Sequence, residues 1–115
     1  MEPTNQELEW EYPALTPLLE WINSLHERIN NDMGKTVRYG SGDLHTIGAA
    51  MRRLAPGIST EISDEEIAVA FYTMGKIARI FSGYEMGQIP DSDSWYDLHF
   101  YSMMAMKIRQ TGGWL

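Results

Sequence analysis

Apolar residues recur along most of this chain at steps of three and four, the spacing of a helix with one buried face. In TPLLEWINSLHERIN, Leu18, Ile22, Leu25 and Ile29 form one stripe, and Glu20, Asn23, Glu27 and Asn30 lie on the other side. Thr16 suits the N-cap, Pro17 suits the first helical position, and Gly34 is the expected stop. A short extended or looped piece, TVRYGSG, follows. A second helix is expected in DLHTIGAAMRRLAPG, capped by Asp43 or Ser41, with Leu44, Ile47, Met51 and Leu54 as its stripe and Pro56–Gly57 as its end.

The third predicted helix opens on SDEE, Ser63 to Glu66, the pattern of a capping box. Asp64 and Glu65 also suit the positive end of the helix dipole. Ile67, Ala70, Phe71, Met74, Ile77, Ala78 and Phe81 make a broad apolar face, and Gly83 is the expected stop. Glu65, Tyr72, Lys76 and Arg79 fall on the opposite stripe. After the Gly-, Pro- and Ser-rich loop GYEMGQIPDSDS, a fourth helix is expected from Asp93 to Gln110. It is apolar around most of its circumference, through Trp95, Leu98, Phe100, Tyr101, Met103, Met104, Ala105, Met106 and Ile108.

These elements predict an all-α fold, an antiparallel bundle of about four helices. A helix apolar on most sides is either central or covered by another subunit, so a homodimer is expected. The chain divides into an acidic N-terminal segment, residues 1–13, and a single helical domain, residues 14–115. With 115 residues, it is long enough for one domain with its own core.

Composition narrows the chemistry. There is no cysteine, so disulfides, thiolate nucleophiles and Cys-ligated zinc are excluded. The acidic start resembles no signal peptide, and no run is long and apolar enough for a membrane span, which leads to an expectation of a cytoplasmic protein. The net charge of −7 argues against nucleic acid as the main partner. GKT at residues 34–36 lacks the glycine that a P-loop needs at position 29, which is Ile29. HERIN lacks the second histidine of a zinc-protease helix, since position 30 is Asn30. His26, His45 and His99 fall on three different helices without ligand spacing.

What remains is charge at helical spacing. Lys76 and Arg79 lie three apart, so their heads can converge on one anion. Asp93 and Asp97 lie one turn apart, and Asp97 shares a stripe with Tyr101, Met104 and Ile108. Two readings stay open. In the structural one, Asp93 is an N-cap, Asp97 is a first-turn acid, and Lys76 and Arg79 are their ion-pair partners or a solvated face. In the functional one, Lys76 and Arg79 hold phosphate while Asp93 and Asp97 hold Mg²⁺.

Three pieces in order, RYG, KIAR and DSWYDLHFY, resemble a pattern found in small bacteriophage and prophage proteins. The matching residues are Tyr39, Gly40, Ile47, Lys76, Arg79, Asp93, Ser94, Asp97 and Tyr101, across about residues 36–110. That group is similar to the all-α nucleoside triphosphate pyrophosphatases, the MazG-like proteins. The resemblance implies a helical, oligomeric protein with a nucleotide or related phosphate ligand between helices. It implies Mg²⁺ as cofactor and, in catalytic members, pyrophosphohydrolysis. The Glu-Glu-x-x-Glu and Glu-x-x-Asp metal clusters of that family are absent here in that form, so binding is implied more strongly than turnover. Tyr39 and Tyr101 are the candidates for ligand contact. The alternative is a non-catalytic phage interaction protein that sequesters a ligand or antagonises a host or defence factor. Trp10 and Tyr12, in the acidic N-terminal segment, motivate it.

Overall fold

Capping chemistry and periodicity place five helices in the chain: α1 (Asn5–Glu11), α2 (Leu15–Asp32), α3 (Ser41–Leu54), α4 (Asp64–Glu85) and α5 (Ser92–Thr111). The structure is a computed structural model that describes residues 2–34, 41–89 and 92–115. No strand occurs among the described residues. Two compact units divide the chain, Met1–Thr36 and Val37–Leu115.

The first unit holds α1 and α2. Helix α1 was not among the expected elements, yet it starts on the same pattern as α4. Thr4 Oγ1 accepts from the Glu7 N–H at 3.2 Å, and the Glu7 carboxylate accepts from the Thr4 N–H at 3.3 Å. That reciprocal pair satisfies two donors at the helix start. Helix α2 begins at Leu15, after Ala14, and no side chain caps it. Thr16 is therefore inside the first turn and not the N-cap. Of the expected stripe, Ile29 is buried and Leu18 is half exposed.

In the second unit, α4 packs against both α3 and α5. Ser63 caps α4, its hydroxyl accepting from the Glu66 N–H at 3.2 Å. The box is only half built, because the Glu66 side chain turns instead to Arg109 on α5. Helix α3 crosses the start of α4 at Gly48, where an added methyl would land on the Asp64 carbonyl. Arg52 fixes the connection between these helices. Its guanidinium donates to Asp64 Oδ1 at 3.0 Å and to the carbonyls of Ile58, Ser59 and Ile62. Helix α4 runs past Gly83 and ends at Glu85. Gly87, at φ +71°, turns the chain so that its N–H reaches the Tyr84 carbonyl and that of Gln88 reaches Gly83.

Helix α5 is antiparallel to α4. Arg109 near its end meets Glu66 near the start of α4, and Asp97 near its start meets Lys76 further along. Tyr96, Phe100, Tyr101, Met104 and Ile108 are its buried side, while Trp95 and Met106 are exposed.

The orientation of α4 corrects the reading of its apolar face. Ile67 is buried, but Ala70, Phe71, Met74, Ile77, Ala78 and Phe81 are exposed. The side turned inward carries Glu65, Ala68, Val69 and Ile80, with Tyr72, Thr73 and Lys76 half buried. The helix has apolar residues on both sides. The inward side is the one whose polar groups find partners on α3 and α5.

Candidate functional site

Two polar arrangements result from that orientation. The first is at the α4–α5 seam. Lys76, half buried, places its Nζ 2.8 Å from Asp97 Oδ2. Four residues before Lys76, Tyr72 stacks on Tyr101, ring centroids 5.9 Å apart at 24°. Of the residues singled out from sequence, Lys76, Asp97 and Tyr101 are thus gathered along one seam. Arg79 and Asp93 are exposed, and Asp93 lies in the first turn of α5, which begins at Ser92. Tyr39 lies outside the described residues. A lysine alone on this seam would be a phosphate-attracting charge. Beside Asp97 it is half of a neutral pair.

The second arrangement was not legible in the sequence. Glu65 is 2% exposed at the start of α4. Its Oε2 accepts from the backbone N–H of Trp114 at 3.2 Å, and Oε1 lies 3.9 Å from His45 Nε2 on α3. Gly112, at φ +90°, ends α5 and sends the chain back, so that Trp114 is buried against the start of α4. Lys107 pins this return by donating to the Gly113 carbonyl at 2.7 Å, with Nζ 5.8 Å from the Trp114 ring centre. The orphan N–H groups of a helix start favour a carboxylate here. Glu65 already stood on the stripe with Tyr72 and Lys76. Its partner, forty-nine residues away, had no local signal.

Near Glu65, Glu66 forms a two-pronged bond with Arg109, at 3.0 and 2.6 Å. The guanidinium holds the Glu66 carboxyl below its ordinary range, and Glu66 in turn raises Arg109. No group of three or more His, Asp or Glu side chains able to hold a metal ion occurs among the described residues.

The third feature is the outward side of α4. From Ala70 to Tyr84 it presents Phe71, Met74, Ile77, Phe81 and Tyr84 to solvent; Arg79, on the stripe with Tyr72 and Lys76, is the charged residue of this span that is also exposed. Large contiguous apolar patches of this kind mark contact surfaces on soluble chains. No helix is long and apolar enough to cross a membrane among the described residues. The chain matches no protein-family model, and comparison with curated proteins and with solved structures finds no similar protein.

Proposed function

We propose that this chain works by binding and not by turnover, as a small helical interaction protein whose contact surface is the outward face of α4. This takes the second function inferred from sequence, a non-catalytic phage-type protein that antagonises a host or defence factor or sequesters a ligand. The observation that carries it is the inversion of α4. Two charges of its polar stripe, Lys76 and Glu65, are paired inside with Asp97 and Trp114, Arg79 being exposed, while its aromatic and aliphatic stripe is left outside. Apolar side chains gain by leaving water, at roughly 25 cal/mol per Å². A face of five large ones therefore favours a partner.

The test separates surface from core. Phe81→Lys, measured by urea denaturation of dilute protein, should cost under about 0.5 kcal/mol. A loss of about 3 kcal/mol or more is the signature of a buried ring and overturns the reading. Incubation with nucleoside triphosphates and Mg²⁺ or Mn²⁺ should release neither phosphate nor pyrophosphate. Sustained release abolished by Asp97→Asn equally overturns it.

A second reading keeps a nucleotide or related phosphate at the α4–α5 seam. It is favoured by the Lys76–Asp97 pair lying beside the Tyr72–Tyr101 stack. Mg²⁺ at Asp93 and Asp97 would have to displace the Lys76 ammonium, freeing it, with Arg79, for phosphate. Calorimetric titration with a Mg²⁺–nucleotide should then give binding that Lys76→Ala and Arg79→Ala each weaken. No heat at millimolar nucleotide rules this reading out.

A further inference from the structure

We propose that the outward face of α4 is covered by the same face of a second copy of this chain, the two helices antiparallel about a two-fold axis between Met74 and Ile77. This rests on the reading of that face as a contact surface and names a second copy, in place of a host or defence factor, as its occupant.

Spacing is the first ground. Met74 and Phe81 are seven residues apart, as are Ala70, Ile77 and Tyr84. Alternating steps of three and four with a seven-residue repeat are what one helix presents to another at a shallow crossing angle. Ile67 would extend the repeat but is buried within its own chain, so the self-pairing seam runs from Ala70 to Phe81, with Tyr84 at its rim.

Self-complementarity is the second. An isologous contact brings residue i against j and j against i. With the axis between Met74 and Ile77, the positions facing each other sum to the same number. Met74 then meets Ile77 of the second copy, and Ala70 meets Phe81. The small side chain receives the large one at both ends, and two flexible or branched chains of similar size meet at the centre. No charge is buried, because the seam holds none.

Area sets the strength. Phe71, Met74, Ile77, Phe81 and Tyr84 are between 41% and 62% exposed. Together they leave roughly 500 Å² open, taking aromatic side chains at about 150–250 Å² each. A standard interface buries about 800 Å² per partner, so this seam with its polar rim lies at the small end. The dimer should be reversible, with Kd on the order of micromolar. Copies that each carry a net charge of −7 repel one another, so added salt should tighten it.

Sedimentation velocity on the full chain, from about 1 to 200 µM, tests this against the Kd scale. The expected result is a monomer–dimer equilibrium that strengthens with salt. Met74→Lys and Phe81→Lys should each weaken it by tenfold or more while leaving the circular dichroism unchanged. Because the chain has no cysteine, register can be read directly. An oxidised mixture of Met74→Cys and Ile77→Cys proteins should give the mixed cross-link in preference to either self-pair. A monomer at every concentration overturns the proposal; if Phe81→Lys is then thermodynamically neutral, the contact-surface reading survives with a different partner. A dimer untouched by both lysine substitutions also overturns it, since the interface would then lie elsewhere.

Discussion

Lys76 on α4 and Asp97 on α5 meet at 2.8 Å, and the lysine is the more enclosed of the two, its side chain 21% exposed against 41% for the aspartate. This inequality makes the pair asymmetric. Removing Asp97 leaves an ammonium with little water to replace its partner, whereas removing Lys76 leaves a carboxylate that solvent can reach. Asp97→Asn should therefore cost about 1–2 kcal/mol and Lys76→Met under about 1 kcal/mol. Urea denaturation of both single variants and the double variant checks this, with a coupling of about 1 kcal/mol expected. Equal costs, or the reverse order, would show that the pair is solvated on both sides.

Glu65 and Trp114 tie the start of α4 to the chain beyond α5. Trp10, Trp21 and Trp95 are exposed, so Trp114 is the one buried tryptophan of the four. Glu65→Ala removes the acceptor for the backbone N–H of Trp114 and should cost about 1–3 kcal/mol. The blue-shifted part of the tryptophan emission should move red and become open to acrylamide. Glu65→Gln keeps a carbonyl oxygen in place and should preserve most of the protection. Unchanged quenching in Glu65→Ala would mean that packing alone holds Trp114.

Helices were readable in this chain because each carries local signals: Ser63 before α4, the Leu44 stripe of α3, Tyr101, Met104 and Ile108 along α5. Helix α1 carries the same local signal, since Thr4–Glu7 has the Ser/Thr-x-x-Glu pattern of Ser63–Glu66. The side of α4 that turns inward was not readable. Ala68, Val69 and Ile80 on one side compete with Phe71, Met74 and Phe81 on the other, and hydrophobicity alone favours the wrong one. The deciding contacts, Lys76 with Asp97 and Glu65 with Trp114, join residues far apart in sequence. Of the residues proposed for a site, spacing could align Asp97 with Tyr101. It offered Lys76 and Arg79 alike as ion-pair partners of the aspartates, and could not say that Lys76 would be the one at Asp97 while Arg79 stayed exposed.

Glu66 gives the fold a defined response to acid. Its hydrogen bond to Arg109 and the adjacent charge outweigh the effect of burial and lower its pKa on folding. A carboxyl with a lowered folded pKa binds fewer protons folded than unfolded, so its contribution is full above the ordinary glutamate range. That contribution is lost as pH falls through the lowered value. Wild-type protein should thus lose stability on acidification relative to Glu66→Gln, and the two curves should converge at the acid end. Arg109→Gln should flatten the difference in the same way. Arg109 is mostly exposed, so high salt should shrink the effect. Denaturation midpoints across pH at two salt concentrations test both statements.

Gly48 and Gly75 are both helix-interior glycines, and they should respond oppositely to the same substitution. Helix propensity alone favours alanine at either position by up to about 1 kcal/mol. At Gly75 nothing lies within 4 Å of the added methyl, so Gly75→Ala should realise that gain. At Gly48 the methyl would strike the Asp64 carbonyl and lie 2.7 Å from Asp64 Cα, which is backbone and cannot rotate away. Relief requires α3 to move off the start of α4, disturbing Leu44, which is wholly buried, and the Arg52–Asp64 bond. Overpacking of this kind costs about 1–3 kcal/mol or more, which exceeds the propensity gain. Gly48→Ala should therefore lower the thermal midpoint and Gly75→Ala raise it. A neutral Gly48→Ala would mean that α3 and α4 are not in close backbone contact, and with that the placement of Arg52 and His45 beside the start of α4 would fall.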